Sequence, residues 1–495
     1  MNSICTESLR QGTLFALPGE SQAKAIAELA GGISEKDAEG GLFVIRSGLP
    51  AFSQSALPRA KKRLIDVGTS SKKKKEERTE WVIKGRVNSL DGAELFCPKC
   101  HCAMVKNGTC DVRLAHLPIG ADYQSLAVSR QRYVCPACGA SLDQGIPFKA
   151  KGHMMTEQLR AFAESLLAAG LSLKEVSIAT GLHKDVVKGI DLARLSSLYV
   201  ETREGRKALK GPDRATRLLG VDEFLLHRRH RFATIFVDLE TGAVLYLAYG
   251  KKKRCVSDFI KWMGEERMGR IEAVACDMNS DYEEEFRDRC PGIAVVFDRF
   301  HVVKNFNDKV ISEVRKDEER RLRSEGKIGE AAILKGSKYI LMMSSEARKA
   351  APDAGKSAGA GGDEGLFGPK EAKPKGDAES RYWEIVESNE LLFVCDYVKE
   401  ALKEAYDSRD ESDMEGIIAA IVETCLGTGN KHFEWFAKML VSHIDGILAH
   451  ASFPISTGKV EGLNQMTKTL RRRSYGFRDD EYFFLKIIDA SRRLI

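Results

Sequence analysis

The sequence contains no uninterrupted apolar run of the roughly 20 residues that a membrane-spanning helix requires. Its hydrophobic fraction of 43% and charged fraction of 30% are ordinary for a globular protein, and the composition excludes a membrane protein. Residues 1–20 also lack a basic start followed by an apolar core, so no secretory signal is recognised. We therefore expect a cytoplasmic protein.

The chain also has little net charge. Its 77 Lys and Arg residues face 71 Asp and Glu residues, which leaves a formal charge of +6. So small an excess excludes a uniformly cationic coat for nucleic acid and predicts local basic patches instead. At about 150 residues per domain, the length of 495 residues predicts roughly three domains and excludes a single small binding module.

Residues 1–90 show no sustained apolar periodicity, and the run Lys72-Lys73-Lys74-Lys75 has the composition of a solvated segment. We interpret this region as a flexible N-terminal extension that acts as a linker. A non-specific phosphate-binding arm is the alternative interpretation.

Two Cys-x-x-Cys pairs follow, Cys97-Pro-Lys-Cys100 and Cys135-Pro-Ala-Cys138. In a reducing compartment this spacing favours thiolate ligands, and four sulfurs can enclose one tetrahedral Zn²⁺ ion. Four protein ligands leave no open position, so such an ion would stabilise a module at 91–150 and would not catalyse. Redox dithiols and unliganded cysteines are the alternatives. Substitute ligands nearby are His101, Cys102, Cys110 and His116.

Helical spacing begins after residue 155 and predicts a helix-turn-helix domain at 151–205. Ser172 is a suitable N-cap and Gly181 a suitable stop for one short helix, and a second helix is predicted at His183 to Leu192. In a DNA-reading helix-turn-helix the second helix enters the major groove, which would bring Lys184 and Lys188 to the DNA. A plain helical hairpin is the alternative.

Between Leu218 and His301 the pattern predicts a mixed sheet covered by helices. Three β-rich runs with a turn at Thr241-Gly242 predict antiparallel strands, and apolar runs at Ile271 to Ala275 and Ile293 to Phe297 alternate with helical segments. Helical signals then dominate residues 305–450. They are interrupted at 345–380 by a Gly-, Ala- and Lys-rich stretch that we interpret as flexible.

Acidic residues occur at chemically suggestive places along this sheet. Asp222 lies on its first strand, Asp277 follows an apolar strand, and Glu461 lies near the start of a late helix. Three such carboxylates can hold two divalent cations that promote phosphoryl displacement, and Mg²⁺ prefers such oxygen ligands. Since the chain has 71 acidic residues, the spacing alone does not identify a site, and helix capping by Asp277 is the alternative.

Five motifs resemble those of the ISL-three family of insertion-sequence transposases, which belong to the DDE superfamily. The motifs are Val221-Asp222-Glu223, Cys276-Asp277-Met278, Asp298-Arg-Phe-His301-Val-Val-Lys304, Val460-Glu461-Gly-Leu-Asn464 and Arg472-Arg-Ser-Tyr-Gly-Phe477. The resemblance implies a multidomain α/β protein: a zinc-ribbon-like module, a helix-turn-helix, and a ribonuclease-H-like core interrupted by a helical insertion. In this arrangement the core comprises residues 210–304 and 451–495, and the insertion comprises 305–450.

The resemblance also implies a catalytic triad of Asp222, Asp277 and Glu461 with two Mg²⁺ or Mn²⁺ ions. Asp298 is the rival of Asp277 for the second position, and otherwise it supports the site together with His301. The implied activity is metal-dependent cleavage at the terminal inverted repeats of an insertion sequence, followed by strand transfer. An inactive DNA-binding regulator derived from a transposase is the alternative.

The implied partner is double-stranded DNA, both the element ends and the target, and no membrane. The enzyme is expected to work in association with the nucleoid as a homo-oligomer, a dimer. Phosphate contacts near the metal ions are expected from a basic helix end, comprising Lys468, Arg471, Arg472 and Arg473. A solvated basic helix face is the alternative for these four residues.

Overall fold

The computed structural model describes residues 49, 52–67, 74–88, 95–203, 205–227, 231–278, 280–344, 347–348, 377–387, 389–474 and 476–493. Part of the lysine run and most of the stretch at 345–380, both predicted to be flexible, lie outside these residues. The chain divides into two compact units. One comprises residues 1–208 and 470–485, and the other comprises residues 209–469 and 486–495.

The first unit contains a six-stranded sheet. Its strands are β1 (Phe52–Gln54), β2 (Arg59–Asp66), β3 (Lys75–Val87), β4 (Val105–Ile119), β5 (Asp122–Val134) and β6 (Ser141–Asp143). The order is β1-β3-β5-β4, with β2 against β3 and β6 against β5. Only the β3–β5 pairing is parallel among these described strands. The core beneath the sheet includes Ile83, Leu114, Leu126 and Phe148.

These strands correct the prediction of a flexible extension at 1–90, because residues 52–66 and 75–87 are part of the sheet. The same sheet continues into the predicted zinc-binding module, so residue 90 is not a domain boundary. The period of two was obscured by charge: β3 begins Lys-Glu-Glu-Arg, and its buried positions Ile83 and Val87 come only near its end.

Three helices follow: α1 (Glu157–Ala168), α2 (Leu173–Thr180) and α3 (Lys184–Tyr199). Ser172 caps α2, its side chain bonded to the Glu175 amide, and the left-handed Gly181 (φ 72°) ends it. The predicted cap and stop are therefore confirmed. Helix α3 is longer than predicted, and His183 is its N-cap. The short strands β7 (Val200–Arg203) and β8 (Arg206–Leu209) then pair with each other.

The second unit contains a mixed five-stranded sheet, as predicted. Its elements begin with β9 (Leu218–His227), β10 (Arg231–Asp238), β11 (Val244–Tyr249), α4 (Lys253–Met263) and α5 (Glu265–Met268), and continue with β12 (Ala273–Cys276), α6 (Ser280–Arg289) and β13 (Ala294–Phe297). The order is β11-β10-β9-β12-β13. The strands β9, β10 and β11 are antiparallel, whereas β9, β12 and β13 run parallel.

Helices make up the rest of the described chain. They are α7 (Arg299–Asn305), a π-helical turn (Phe306–Ile311), α8 (Ser312–Ser324), α9 (Ile328–Lys335), α10 (Lys338–Met342), α11 (Asp377–Glu387), α12 (Glu390–Asp407), α13 (Glu411–Gly427), α14 (Lys431–Ser442), α15 (Ile444–Ser452), α16 (Gly458–Arg473) and α17 (Asp480–Arg492). The apolar faces of the helices from α7 to α15 join residues of the sheet in one core. No helix in the described residues is long and apolar enough to cross a bilayer.

Candidate active site and metal centres

Asp222 lies on β9, and Asp277 directly follows the neighbouring parallel strand β12. Ala275 of β12 is the register partner of Gly220 of β9, so each aspartate comes two residues after a paired position. Asp222 accepts a 2.7 Å hydrogen bond from the amide of Glu223, and Asp277 accepts one of the same length from Met278. These bonds orient both carboxylates at the same end of the sheet.

Helix α16 is seated on this end of the sheet because Gly220 has no side chain. A Cβ atom on Gly220 would lie 2.7 Å from a methyl group of Val460 and 2.7 Å from one of Leu239, so a larger residue would require these side chains or the helix to shift. The Nζ atom of Lys459 also donates to the carbonyl oxygens of Leu239 and Glu240, each at 2.7 Å. The helix that carries Glu461 is thereby fixed against β9.

Asn464, one turn after Glu461, contacts the first aspartate directly. Its Nδ2 atom donates to Oδ2 of Asp222 at 2.7 Å. The residue is 7% exposed, and its Oδ1 atom is buried without a hydrogen-bond partner in the described structure. Asn464 is not among the site residues predicted from the sequence. Its spacing from Glu461 could have indicated it, because positions i and i+3 share one face of a helix.

Glu461 is exposed and lies at the edge of the helix face that contacts the sheet. At about 100° per residue, its side chain leaves the helix about 60° away from that of Asn464. Among the described residues, Asp222, Asp277 and Glu461 do not all lie within 4.8 Å of one another. In a site with two ions, about 4 Å apart and each about 2.1 Å from its oxygens, the outer carboxylates can be about 8 Å apart.

His301, in the first turn of α7, pairs with the second aspartate. Its Nδ1 atom lies 3.2 Å from Oδ1 of Asp277, and its side chain is 12% exposed. Burial alone would lower the pKa of His301, but the bond to Asp277 outweighs it and the pKa is raised. Burial likewise opposes ionisation of Asp277, yet His301 lowers its pKa below the ordinary value. The two groups therefore form an ion pair.

Asp222 has the opposite electrostatic environment. Burial raises the pKa of its carboxyl, and the negative charge of Asp277 contributes to the same shift. A divalent cation between the two carboxylates would compensate both effects, because it supplies positive charge where the protein supplies little. The paired oxygens and the unpartnered Oδ1 of Asn464 thus fit a hard cation chemically.

Asp298 occupies a buried position between the sheet and α16. It caps α7 and is 3% exposed. Its Oδ2 atom accepts a 2.9 Å hydrogen bond from the amide of Thr457, just before α16, and a second bond from the Thr457 hydroxyl. Asp298 therefore holds the start of the helix that carries Glu461, and no contact with Asp277 is seen in the described structure.

The four knuckle cysteines come together as predicted. Their sulfur atoms all lie within 4.8 Å of one another. The first cysteine of each pair, Cys97 and Cys135, is buried. The Sγ atoms of Cys97 and Cys138 are 3.5 Å apart, and those of Cys100 and Cys135 are 3.4 Å apart. Four thiolates around Zn²⁺, each at about 2.3 Å, would lie about 3.8 Å apart. The donor set therefore fits zinc.

Both knuckles have the same backbone arrangement. The amides of Cys97 and Cys135 donate to the carbonyl oxygens of Cys102 and Ala140, five residues on in each case. Backbone amides that point at its sulfur lower the pKa of Cys97 to about 6. Amides directed at sulfur stabilise thiolates, the form in which cysteine binds metal.

The four substitute ligands lie outside this cluster. His116 is buried in the sheet, where its Nδ1 atom lies 2.9 Å from the hydroxyl of Thr156. Cys102 is exposed and donates to the carbonyl of Cys100, while Cys110 accepts from Arg130. His101 has an unusual φ of 57°, which fits the tight turn of the knuckle.

Comparison with known proteins identifies the family. A family model described as "Transposase", that of the ISL-three DDE transposases, matches residues 219–487, more than half of the chain. The chain belongs to the ISL-three family of DDE transposases. The matched region includes Asp222, Asp277 and Glu461.

Two curated relatives extend the match. The transposase for insertion sequence element IS1001 of Bordetella parapertussis is 28% identical over 419 residues, which cover 83% of this chain and 93% of the relative. The transposase for insertion sequence element IS1557 of Mycobacterium tuberculosis is 24% identical over 285 residues, 54% of this chain and 58% of the relative.

The residues predicted to contact DNA have diverse surroundings in this transposase. Lys184 is exposed in the first turn of α3, but the ammonium of Lys188 lies 2.8 Å from Asp479 and 5.3 Å from the ring centre of Tyr482. Contact between Lys188 and DNA remains a prediction, and it would require the bond to Asp479 to be shared or broken.

The basic end of α16 is also partly engaged. The guanidinium of Arg471 lies 5.2 Å from the ring centre of Phe483, and Arg473 is 3.5 Å from Glu175. Lys468 and Arg472 are exposed. Contact between these four residues and DNA phosphates stays a prediction.

Proposed function

We propose that this transposase binds the terminal inverted repeats of its insertion sequence, cleaves DNA there and joins the released end to target DNA. The observation that carries the proposal is the docking of helix α16 onto the strand end at which Asp222 and Asp277 meet. This arrangement brings the helix of Glu461 to two adjacent carboxylates. The order of the mixed sheet, three antiparallel strands followed by two parallel ones, supports a ribonuclease-H-like core.

In the proposed site, Asp222, Asp277 and Glu461 would hold two Mg²⁺ or Mn²⁺ ions. Bound there, the ions would activate the attacking oxygen and stabilise the leaving oxygen in an in-line displacement. In cleavage, a water oxygen bonds to phosphorus while the bond between phosphorus and the 3′ oxygen breaks. In strand transfer, the released 3′ hydroxyl attacks a target phosphate, and one ester bond replaces another.

Other residues have supporting roles in this proposal. Asn464 orients the carboxylate of Asp222 through its Nδ2 atom. His301 keeps Asp277 ionised and can hold a proton beside the reacting phosphate. Asp298 fixes the start of α16 through Thr457.

DNA recognition is assigned to the zinc module and to helices α1 to α3, with one Zn²⁺ held by the four knuckle cysteines. Helix α2, the turn at Gly181 and helix α3 would form the helix-turn-helix, with α3 as the helix that enters the major groove. The transposase would act as a dimer, because an element has two ends that must be processed together.

A cleavage assay tests the proposal, with DNA that carries the element's own ends and with Mg²⁺ or EDTA. Asp222→Asn, Asp277→Asn and Glu461→Gln should each abolish cleavage while end binding remains, because an amide keeps the shape of the side chain but removes a charged ligand. Asp258→Asn, an exposed change on α4, is the matched control. Full cleavage in all three variants would eliminate the proposed mechanism.

A further inference from the structure

A cavity of about 500 Å³ lies along helix α7 and the π-helical turn that follows it. Its wall includes Arg299, Phe300, Lys304, Asn307, Asp308 and Ser456. All of these residues belong to the second unit. None of the roles proposed above uses this cavity.

The cavity is linked to the proposed catalytic site through α7. His301, which pairs with Asp277, directly follows Phe300, and the two rings meet edge to face with centres 5.4 Å apart. Any group bound in the cavity would therefore lie close to a strand held at the carboxylates.

The wall combines the aromatic ring of Phe300 with two cations and with the carboxylates of Asp298 and Asp308. The side chain of Phe300 is 47% exposed, so its ring is open to a stacking partner. The Lys304 ammonium lies 5.9 Å from the ring centre, and no carboxylate pairs with it in the described residues. Arg299 is already paired with Asp407 at 3.2 Å. An exposed ring beside a lysine suits a planar base that carries a phosphate.

A buried polar atom without a hydrogen-bond partner in the described structure also lies at this wall, in the side chain of Asn307. The turn at Phe306–Ile311 is π-helical, an irregularity that is often found at functional sites. Within it, Oδ1 of Asn307 is buried without a hydrogen-bond partner in the described structure. A rotation of this amide would turn an acceptor or a donor towards the edge of a base.

We propose that this cavity binds one unpaired nucleotide adjacent to the phosphate that is cleaved. The base stacks on Phe300, its phosphate contacts Lys304, and its edge meets Asn307. The inference rests on the proposed function, since it requires a DNA strand at Asp222 and Asp277. A cavity of this volume accommodates a single nucleotide and excludes a duplex, so the nucleotide must leave the helical stack.

Two DNA probes test the proposal with the full-length, zinc-containing protein and without added Mg²⁺ or Mn²⁺, so that no cleavage occurs. One is a blunt duplex of the element's end, and the other carries one additional unpaired 2-aminopurine nucleotide. The wild type should bind the tailed duplex roughly 5-fold to 100-fold more tightly, the range expected for one stacked base, and should change its fluorescence. Equal affinities and unchanged fluorescence would overturn the proposal.

Variants identify the residues responsible. Phe300→Ala should remove both the preference and the fluorescence change, whereas Phe300→Tyr should keep them. Phe393→Ala, which also removes a half-exposed aromatic ring (56%) but lies on α12, is the matched control. Lys304→Ala should weaken binding of the tailed duplex more than that of the blunt one. Retention of the preference in Phe300→Ala, with unchanged thermal unfolding, would contradict the assignment.

The two proposals can fail separately. Cleavage of the element's ends by a wild type that shows no preference for the tailed duplex overturns the nucleotide site alone. A tail preference that depends on Phe300, in a protein that does not cleave with Mg²⁺, supports the nucleotide site and overturns the proposed activity.

Discussion

The side-chain amide of Asn464 donates to Oδ2 of Asp222 across 2.7 Å, and this bond joins helix α16 to strand β9 at the carboxylates. Asp222 uses its other oxygen to accept from the Glu223 amide. The carboxylate is thus fixed before any cation binds, which reduces the entropy lost on binding.

We predict that Asn464→Ala reduces both cation affinity and cleavage, by about 10-fold to 100-fold, as is typical when a group that orients a ligand is lost. The measurements are Mn²⁺ titration by calorimetry and the cleavage rate. The control is Gln465→Ala, an exposed neighbour on the same helix. Unchanged Mn²⁺ affinity in Asn464→Ala would refute this role.

The sequence was sufficient to predict the sheet of the second unit because its strands are short apolar runs between turn residues. The predicted turn at Thr241-Gly242 separates β10 from β11, and the predicted apolar run Ile293 to Phe297 contains β13. Gly220 shows what pattern analysis does not reveal. Its importance comes from Val460, 240 positions later in the sequence, and only the folded chain brings these two residues together.

The same limit applies to Asp298 and Asn464. Both lie in motifs that were recognised, but a motif does not show which of its polar side chains is buried and already bonded. The carboxylate of Asp298 is bonded to Thr457, whereas the side-chain amide of Asn464 donates to the carboxylate of Asp222. In β2 and β3, charged residues on the exposed positions concealed the strand pattern altogether.

The zinc prediction concerns the four sulfurs of the first unit. The purified protein should contain about one Zn²⁺ per chain, and Cys97→Ser with Cys135→Ser should remove it and lower the thermal stability of the six-stranded unit. Elemental analysis and thermal unfolding provide the measurements. Cys102→Ser, an exposed cysteine outside the cluster, should leave both unchanged. Full zinc content in the double variant would place the ion elsewhere.

Asp298→Asn should lower the stability of the fold and reduce cleavage only in part. The carboxylate accepts from Thr457 through Oδ2 and from the Phe300 amide through Oδ1, and an amide keeps only one of these two acceptors. Its buried NH₂ group would face a donor instead of an acceptor, which typically costs about 1–3 kcal/mol. We expect a lower free energy of unfolding in denaturant titration and reduced but measurable cleavage. Asp277→Asn should show the reverse, with cleavage lost. If Asp298→Asn abolishes cleavage without loss of stability while Asp277→Asn still cleaves, the two assignments must be exchanged.

The ion pair between His301 and Asp277 predicts a pH dependence of stability in the absence of added Mg²⁺ or Mn²⁺. The raised pKa of His301 stabilises the fold below the ordinary histidine pKa, and this contribution is lost as the pH rises through the raised value. The lowered pKa of Asp277 stabilises the fold above the ordinary aspartate pKa, and this contribution is lost on acidification. The pair thus contributes most between about pH 4 and pH 6.5.

Accordingly, His301→Gln should lower the melting temperature more at pH 6 than at pH 9. The same substitution made in an Asp277→Asn background is the control, and there the difference between the two pH values should largely disappear. A loss that is equal at both pH values in the wild-type background would mean that the two groups are not an ion pair.

The last prediction concerns Lys188, whose ammonium is paired with Asp479 at 2.8 Å, and Lys184, which is exposed on the same helix. Each lysine that neutralises one phosphate contributes about 0.9 to the slope of log affinity against log salt concentration. Lys184→Ala should therefore reduce the slope for binding to element ends by about one unit.

Asp479→Asn should instead increase affinity and slope, because it releases Lys188 for a phosphate, and this gain should vanish in Asp479→Asn with Lys188→Ala. Lys438→Ala, an exposed lysine on α14, is the matched control. Fluorescence anisotropy over a salt series distinguishes the outcomes. If Asp479→Asn leaves the slope unchanged while Lys184→Ala lowers it, Lys188 is a structural residue of the first unit and recognition depends on the exposed lysine alone.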